Sequence, residues 1–563
     1  MREDPGRASE LGDRRWNDRW SDQSLKAIEG RHQHNLEVLG TLAKIDRSSL
    51  SSADQLNLDL FKHRLERRIE GHNLRRFLIP LNQREGIQQQ DDLADALRFE
   101  TVKDYDDWIA RLRVFPALMD QTIELMRQGI RERIVHPKII MQRLPAQIDK
   151  QLVADPTLSG FYKPFRHFAR DISPADQQRL SQQAQQAILQ QIIPAFRKFK
   201  QFFVSEYLPA CFDQVGAWQL PQGDEVYAYE IRNHTTLNIS AERIHEIGLQ
   251  EVERIRNEMQ KIMAQTGFQG SREDFFKFLR TDPQFFYKTP QELFDGYKAV
   301  AKTIDPNLIK VFRTLPREPY GVEEIPPAIA PDTTTAYYRP GAADGSRAGT
   351  YFVNLYKPET RPKWEMMALT LHESVPGHHL QIARAHEIGE LPKFRRYGDS
   401  YTAFVEGWGL YGESLGDDMG LYTDPYSKFG QLTYEMWRAV RLVVDTGMHA
   451  KHWTRERAIR YFMDNAPKQE LDITNEIDRY IAWPGQALAY KMGELKIKEL
   501  RAHSRQQLGP NFDIKEFHDV VLGSGPLPLD ILERNINDWI AKKKGHETSA
   551  HARTQGVEWG RIF

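Results

Sequence analysis

Apolar residues recur at three- and four-residue steps through most of this 563-residue chain, and that period commits it to helices rather than strands. Trp108, Leu112, Pro116, Met119, Ile123 and Met126 keep the step in the first third, and glutamine-rich stretches such as QQRLSQQAQQAILQQIIPAF carry it further. Ser240 opens another helix. Its hydroxyl can cap free N–H groups, while Ile239 and Ile244 occupy the two positions of a hydrophobic staple. The stripe then runs through Ile247, Ile255, Met259 and Ile262. Strand signals are few: VYAYEI (226–231) and GTYFVNLY (349–356) are rich in aromatic and β-branched residues. The Pro-, Gly- and Asp-rich stretch between 315 and 348 reads as loop. From Thr360 the pattern is helical again, with Trp364, Ala368, Leu371 and Val375 on one stripe. The expected architecture is mostly α with a small sheet.

Charge and cysteine content narrow the function classes. Lys and Arg number 77 against 78 Asp and Glu, so no basic field gathers nucleic acid or anionic lipid, and a nucleic-acid partner is not expected. With Cys211 as the single cysteine, neither an internal disulfide nor a multi-cysteine zinc ribbon can form, and any metal site must be built from His and carboxylates. No apolar run reaches the about 18 residues of a membrane span. The opening MREDPGRASELGDRRW lacks the apolar stretch of a secretory signal, so the expectation is a cytoplasmic protein, or an exported one whose leader has been removed. Oligomeric state is left open by these residues.

The segment TLHESVPGHHLQ carries the main chemistry. In the usual zinc-protease helix a second His follows the first by four residues, which puts both imidazoles on one face. Here that position is Pro376, which cannot bind metal. Proline clashes with the carbonyl four residues earlier, that of His372, and Gly377 tolerates unusual dihedrals, so the helix is expected to bulge or break there. In an unbroken helix His378 would lie about 240° round and roughly 9 Å along from His372; His379 would be nearly in line but roughly 10.5 Å away. A distortion at the Pro-Gly step returns His378 to the face of His372, which makes it the favoured ligand, with His379 kept as a neighbour and alternative. A carboxylate should complete the set, and AFVEGWGLYGESLGDDMG offers Glu406, Glu413 and Asp417 on one helical face. His372, His378 and Glu406 would bind Zn2+, leaving Glu373 as general base and Glu413 to hold an imidazole N–H. The competing reading makes His372 a satisfied buried histidine and PGHH a plain helix stop. The other His-Glu pairs, His245-Glu246, His386-Glu387 and His546-Glu547, lack a matching downstream histidine or lie in the polar tail, and are read as ordinary surface or core residues.

HESVPGHHLQ, followed by AFVEGWGLYGE, RLVVDTGMHAKHW and YIAWPGQALAYKMGEL, resembles a bacterial domain-of-unknown-function family, number eight-eight-five, grouped with the gluzincin-type zinc metallopeptidases. ISAERIHEIGLQEV and GTYFVNLYKP also look like landmarks of that family, so the resemblance covers nearly the whole chain. It implies a multi-helical, thermolysin-related core binding one zinc, with a small sheet beside the motif helix. EGWGLYGE is separately similar to a zinc aminopeptidase helix whose first glutamate binds metal, which favours Glu406 over Glu413. The organisation expected is an N-terminal helical region (1–225), a metallopeptidase-like region (226–545) and a polar tail (546–563), in one continuous body.

Downstream, Arg438, Arg441, Asp445 and His449 share one helical period, and Tyr490 follows the Pro484-Gly485 break. Tyr490 and His449 are candidates to steady an oxyanion, and Arg441 to clamp a substrate carboxylate. The bland alternative for Arg441 is a salt bridge to Asp445. Asn354 is a candidate to lie beside an extended peptide added to a strand edge, against ordinary sheet pairing. The expected function is a zinc metallopeptidase acting on a short peptide or small amide. A zinc hydrolase of a non-peptide amide or ester, and a non-catalytic helical binding protein, are the alternatives.

Overall fold

Helix starts in this chain are marked by side-chain caps. Ser240 accepts a hydrogen bond from Arg243 N at 3.2 Å, and the helix that follows buries Ile244, Val252, Ile255 and Met259. The computed structural model describes residues 2–554 apart from 328, 343–346, 390, 397 and 399; the side chains of 332 and 546–554 also lie outside it. The His546-Glu547 pair with His551, and the end of the polar tail, therefore fall outside the described residues.

The chain divides into two units, Met1–Tyr229 and Glu230–Phe563. In the first, α1 (Leu25–Leu42) and α2 (Ser52–Asn73) form an antiparallel-type neighbour pair, followed by α3 (Val102–Arg113) and α4 (Phe115–Glu132). The stripe read from Trp108 to Met126 spans two helices. Val114 separates them, and Pro116 sits in the first turn of α4, where its missing N–H has no intrahelical partner to lose. Trp108, Leu112, Met119 and Met126 are all fully buried.

VYAYEI is helical, not a strand: it lies within α5 (Gly223–Thr235). Val226, Tyr227, Tyr229 and Ile231 are buried together, and so short an apolar run has no period that separates a buried strand from a buried helix. The acidic Asp224 and Glu225 in its first turn are the signal that favours a helix N-terminus.

The second unit begins with α6 (Ala241–Gln265) and holds the sheet. Two strands, β1 (Tyr320–Glu324) and β2 (Ala336–Arg339), lie in the stretch read as loop, and β3 (Gly349–Val353) lies between them. β1 pairs parallel to β3 from Tyr320↔Gly349 to Glu324↔Val353, and β2 pairs antiparallel from Ala336↔Val353 to Arg339↔Thr350. Both outer strands are short and half exposed, so they lack the continuous apolar run that marks fully buried β3. After the sheet come α7 (Lys363–Glu373), α8 (His378–Glu387), α9 (Thr402–Met419), α10 (Pro425–His449), α11 (Glu470–Ala482) and α12 (Ala489–Leu508). Tyr351 and Val353 of β3 pack on Met366 and Leu369 of α7, which seats the sheet beside the motif helix. The fold is mostly helical with one small three-stranded sheet. No helix among the described residues is long and apolar enough to cross a membrane.

Candidate metal centre

The Pro-Gly step divides the motif into two helices. α7 ends at Glu373 and α8 begins at His378, with Ser374 off helical geometry at φ −102°, ψ −111°. Gly377 is needed there because its backbone folds against α7: its N–H donates to Leu371 O at 2.9 Å, and a Cβ would stand 1.8 Å from His372 O. Trp408 of α9 fixes the turn from the other side, donating Nε1–H to Pro376 O at 2.7 Å.

This turn brings the His372 and His378 rings to 4.7 Å between centroids, at 86° to one another. Nε2 of each lies 3.6 Å from Glu406 Oε2 on α9. One ligand atom from each of His372, His378 and Glu406 lies within 4.8 Å of the other two. Behind them, Nδ1 of His372 lies 2.8 Å from Glu413 Oε1, seven residues along α9 from Glu406 and fully buried. Arg438 of α10 stands over the same carboxylate, Nη2 to Oε1 3.8 Å. Gly409 makes room for His372, since a Cβ there would sit 2.8 Å from Cε1 and Nε2 of the imidazole.

The electrostatics follow from this crowding. Burial pushes the His372 pKa down, but the Glu406 and Glu413 carboxylates outweigh it and hold the imidazole at about 9. Burial works against ionised Glu406, yet the two imidazoles hold its carboxyl at about 2. His378 is lowered, chiefly by burial. Glu373 is partly exposed and close enough to favour the charged form of both histidines.

His379 is not in this cluster. Its Nδ1 lies 2.9 Å from the Tyr338 hydroxyl on β2 and its Nε2 3.0 Å from Glu318 O, so both ring nitrogens are occupied and the side chain ties α8 to the sheet. Asn354 does not serve a strand edge: β3 is central and paired on both sides. The Asn354 amide is fully buried and donates to the carbonyls of Ala330, Thr333 and Thr334 at 2.8, 3.1 and 3.1 Å. His449 lies at the far end of α10, about 12 Å of helical rise beyond Arg441. Its Nε2 is 3.0 Å from Tyr480 O, which ties it to α11 instead of the centre.

Arg441 does not pair with Asp445, whose carboxylate accepts Gly485 N at 3.1 Å. Instead Arg441 Nε donates to the Tyr480 hydroxyl at 2.8 Å and Nη2 to Glu476 Oε2 at 3.1 Å. The Tyr490 ring lies 4.3 Å from its guanidinium carbon. Burial, then the nearby Glu406 charge, raise the Tyr490 phenol. Asp417 is away from the cluster and pairs with Lys428 at 2.6 Å. The sequence reading missed Glu476, Arg479 and Tyr480, for which no local signal exists, and Gly409, which the repeated glycines of EGWGLYGESLG could have flagged as a close helix contact.

Comparison with known proteins agrees on the fold. A crystal structure titled "putative lipoprotein" from Colwellia psychrerythraea is 30% identical, covers 95% of this chain and 96% of its own, and superposes with a TM-score of 0.88. A "putative lipoprotein of unknown function" from Shewanella oneidensis is 17% identical over 94% and 96%, with a TM-score of 0.72. No curated protein matches this chain. The model of a family described as "Bacterial protein of unknown function (DUF885)" matches residues 5–536, nearly the whole length, and the chain belongs to that family.

Proposed function

We propose that this chain is a zinc-dependent hydrolase with a gluzincin-like helical core, cleaving short peptides with Glu373 as general base. The observation that carries the reading is the convergence of His372, His378 and Glu406, with ligand atoms within 4.8 Å of one another and Glu413 held against the far nitrogen of His372. Two imidazoles and one carboxylate are a donor set that suits zinc, and three protein ligands leave a position for water. A zinc held by these three residues would supply a Lewis acid that acidifies water and polarises a carbonyl.

The remaining chemistry belongs to the chain. Glu373 takes a proton from water as its oxygen attacks the carbonyl carbon, then delivers that proton to the amine nitrogen as the C–N bond breaks. Glu413 accepts the Nδ1–H of His372, fixing the tautomer whose Nε2 faces the centre. Tyr490 is the donor for the developing oxyanion, a role His449 cannot fill from the far end of α10. The titles of the two similar structures, both lipoproteins, favour a place outside the cytoplasm.

The test is metal analysis and hydrolysis of defined peptides, amides and esters by the purified protein. Glu373→Gln should keep stoichiometric zinc and lose turnover, whereas His372→Ala and His378→Ala should lose the metal. Turnover surviving in Glu373→Gln sinks the base assignment. Absence of zinc from the wild type leaves a helical binding protein.

A further inference from the structure

Beside the candidate centre, one carboxylate is shared by two buried guanidiniums. Glu476 accepts Arg441 Nη2 at 3.1 Å on Oε2, and Arg479 Nε and Nη2 at 3.1 and 2.9 Å on Oε1 and Oε2. The Tyr480 hydroxyl donates to the same Oε2 at 2.7 Å. Arg441 and Arg479 are only 7% and 6% exposed, so this group carries one positive charge more than Glu476 neutralises, in a place where an unpaired charge is strongly unfavourable. Glu406 is near enough to Arg441 for their charges to interact, but a bound metal would claim that carboxylate.

The guanidinium is held on its inner side and free on its outer end. Nε and one hydrogen of Nη2 are committed to Tyr480 and Glu476, and Tyr490 covers the planar face. Nη1 is buried with no hydrogen-bond partner among the described residues. What remains is the pair of outward N–H groups on Nη1 and Nη2, the parallel fork that matches both oxygens of a carboxylate. Arg438, one turn earlier on α10, does not offer this fork: its Nη1 donates to Tyr434 O at 3.3 Å and its Nη2 faces Glu413.

We propose that Arg441 binds a free carboxylate of the substrate beside the scissile bond, so that this chain acts on short peptides at their carboxyl ends. Glu476, with Arg479 behind it, is a positioning residue that aims the fork. This inference rests on the hydrolase reading for its scissile bond, while the carboxylate site can be tested separately by binding.

The test uses the purified full chain with its metal and a non-hydrolysable dipeptide in which a methyleneamine replaces the peptide bond, prepared as free acid and as C-terminal carboxamide. Titration calorimetry should give the acid a roughly ten- to hundredfold tighter Kd than the carboxamide, the range of a hydrogen bond to a charged group. Arg441→Gln should erase that preference with zinc content unchanged. Equal binding of acid and carboxamide by the wild type overturns the proposal, and needs no variant to fold. An acid preference that persists in folded Arg441→Gln also overturns it, because the carboxylate then sits elsewhere. Matched hydrolysable peptides separate the two claims: cleavage of acid and carboxamide alike keeps the hydrolase and removes the clamp. Selective acid binding without any cleavage keeps the clamp and removes the hydrolase.

Discussion

Gly409→Ala is the sharpest test of whether His372 is a metal ligand. The backbone of Gly409 is helical, outside the set of glycines with positive φ, so alanine gains about 1 kcal/mol of helix propensity. Against this, the new Cβ would stand 2.8 Å from Cε1 and Nε2 and 3.1 Å from Nδ1 of His372. Carbon contacts settle at about 3.5–4.0 Å, so the ring must retreat by about 0.7 Å or more. It cannot simply swing aside, because Nδ1 is tied to Glu413 at 2.8 Å. Overpacking of this kind costs about 1–3 kcal/mol, which the propensity gain partly offsets, so the protein should still fold. Metal–ligand distances tolerate only about 0.2 Å, and zinc affinity should fall roughly ten- to a hundredfold. Gly412→Ala is the control: its Cβ would meet Leu371 O at 3.4 Å and Gly377 Cα at 3.5 Å, ordinary contacts, and it should keep both stability and zinc. Competition with a chromophoric chelator reads the affinity, and thermal unfolding reads the fold. Wild-type zinc affinity in Gly409→Ala would refute the ligand assignment of His372.

Three further outcomes follow from the same contacts. Glu413→Gln removes the charge behind His372 and should weaken zinc binding about tenfold while the protein stays folded, measured by the same chelator competition. In metal-free protein the His372 pKa stands at about 9, above its unfolded value, so its contribution to stability is complete below pH 6.5 and is lost as pH rises through 9. Urea unfolding in EDTA should lose up to ~3 kcal/mol between pH 6.5 and 9.5; a flat profile would show that the imidazole is neutral throughout. Zinc must displace the same proton, so its affinity should rise about tenfold per pH unit up to about pH 9. Lys491 is fully buried among Glu435, Glu494 and Glu251 at 2.8, 2.6 and 2.9 Å, and Lys491→Met leaves those carboxylates under-compensated. It should destabilise the fold by about 3–5 kcal/mol in urea unfolding, and a loss under 1 kcal/mol would show that Arg254 and Lys498 suffice.

What could be read from the sequence was local. The cap at Ser240 and the stripe behind it act within a few residues, so the mostly helical fold was legible. The Pro376-Gly377 break was legible for the same reason: proline and glycine act on the carbonyl and turn next to them, and breaking the helix there is what groups His372 with His378. Choosing between His378 and His379 is a different kind of question, because it depends on which nitrogens other parts of the chain have already taken. Tyr338 takes Nδ1 of His379 and Glu318 O takes Nε2, and both residues lie in the stretch between 315 and 348 whose turn-forming residues hid its strands. The misread strand and the undecided histidine therefore share one cause. Arg441 repeats the pattern: Asp445 stands at the helical spacing of a salt bridge, but Glu476, on another helix, holds the guanidinium and thereby leaves its outer fork unspent. In both cases a side chain's chemistry is set by its tertiary competitor, so sequence spacing identifies the groups that can act, and packing decides which of them remain available.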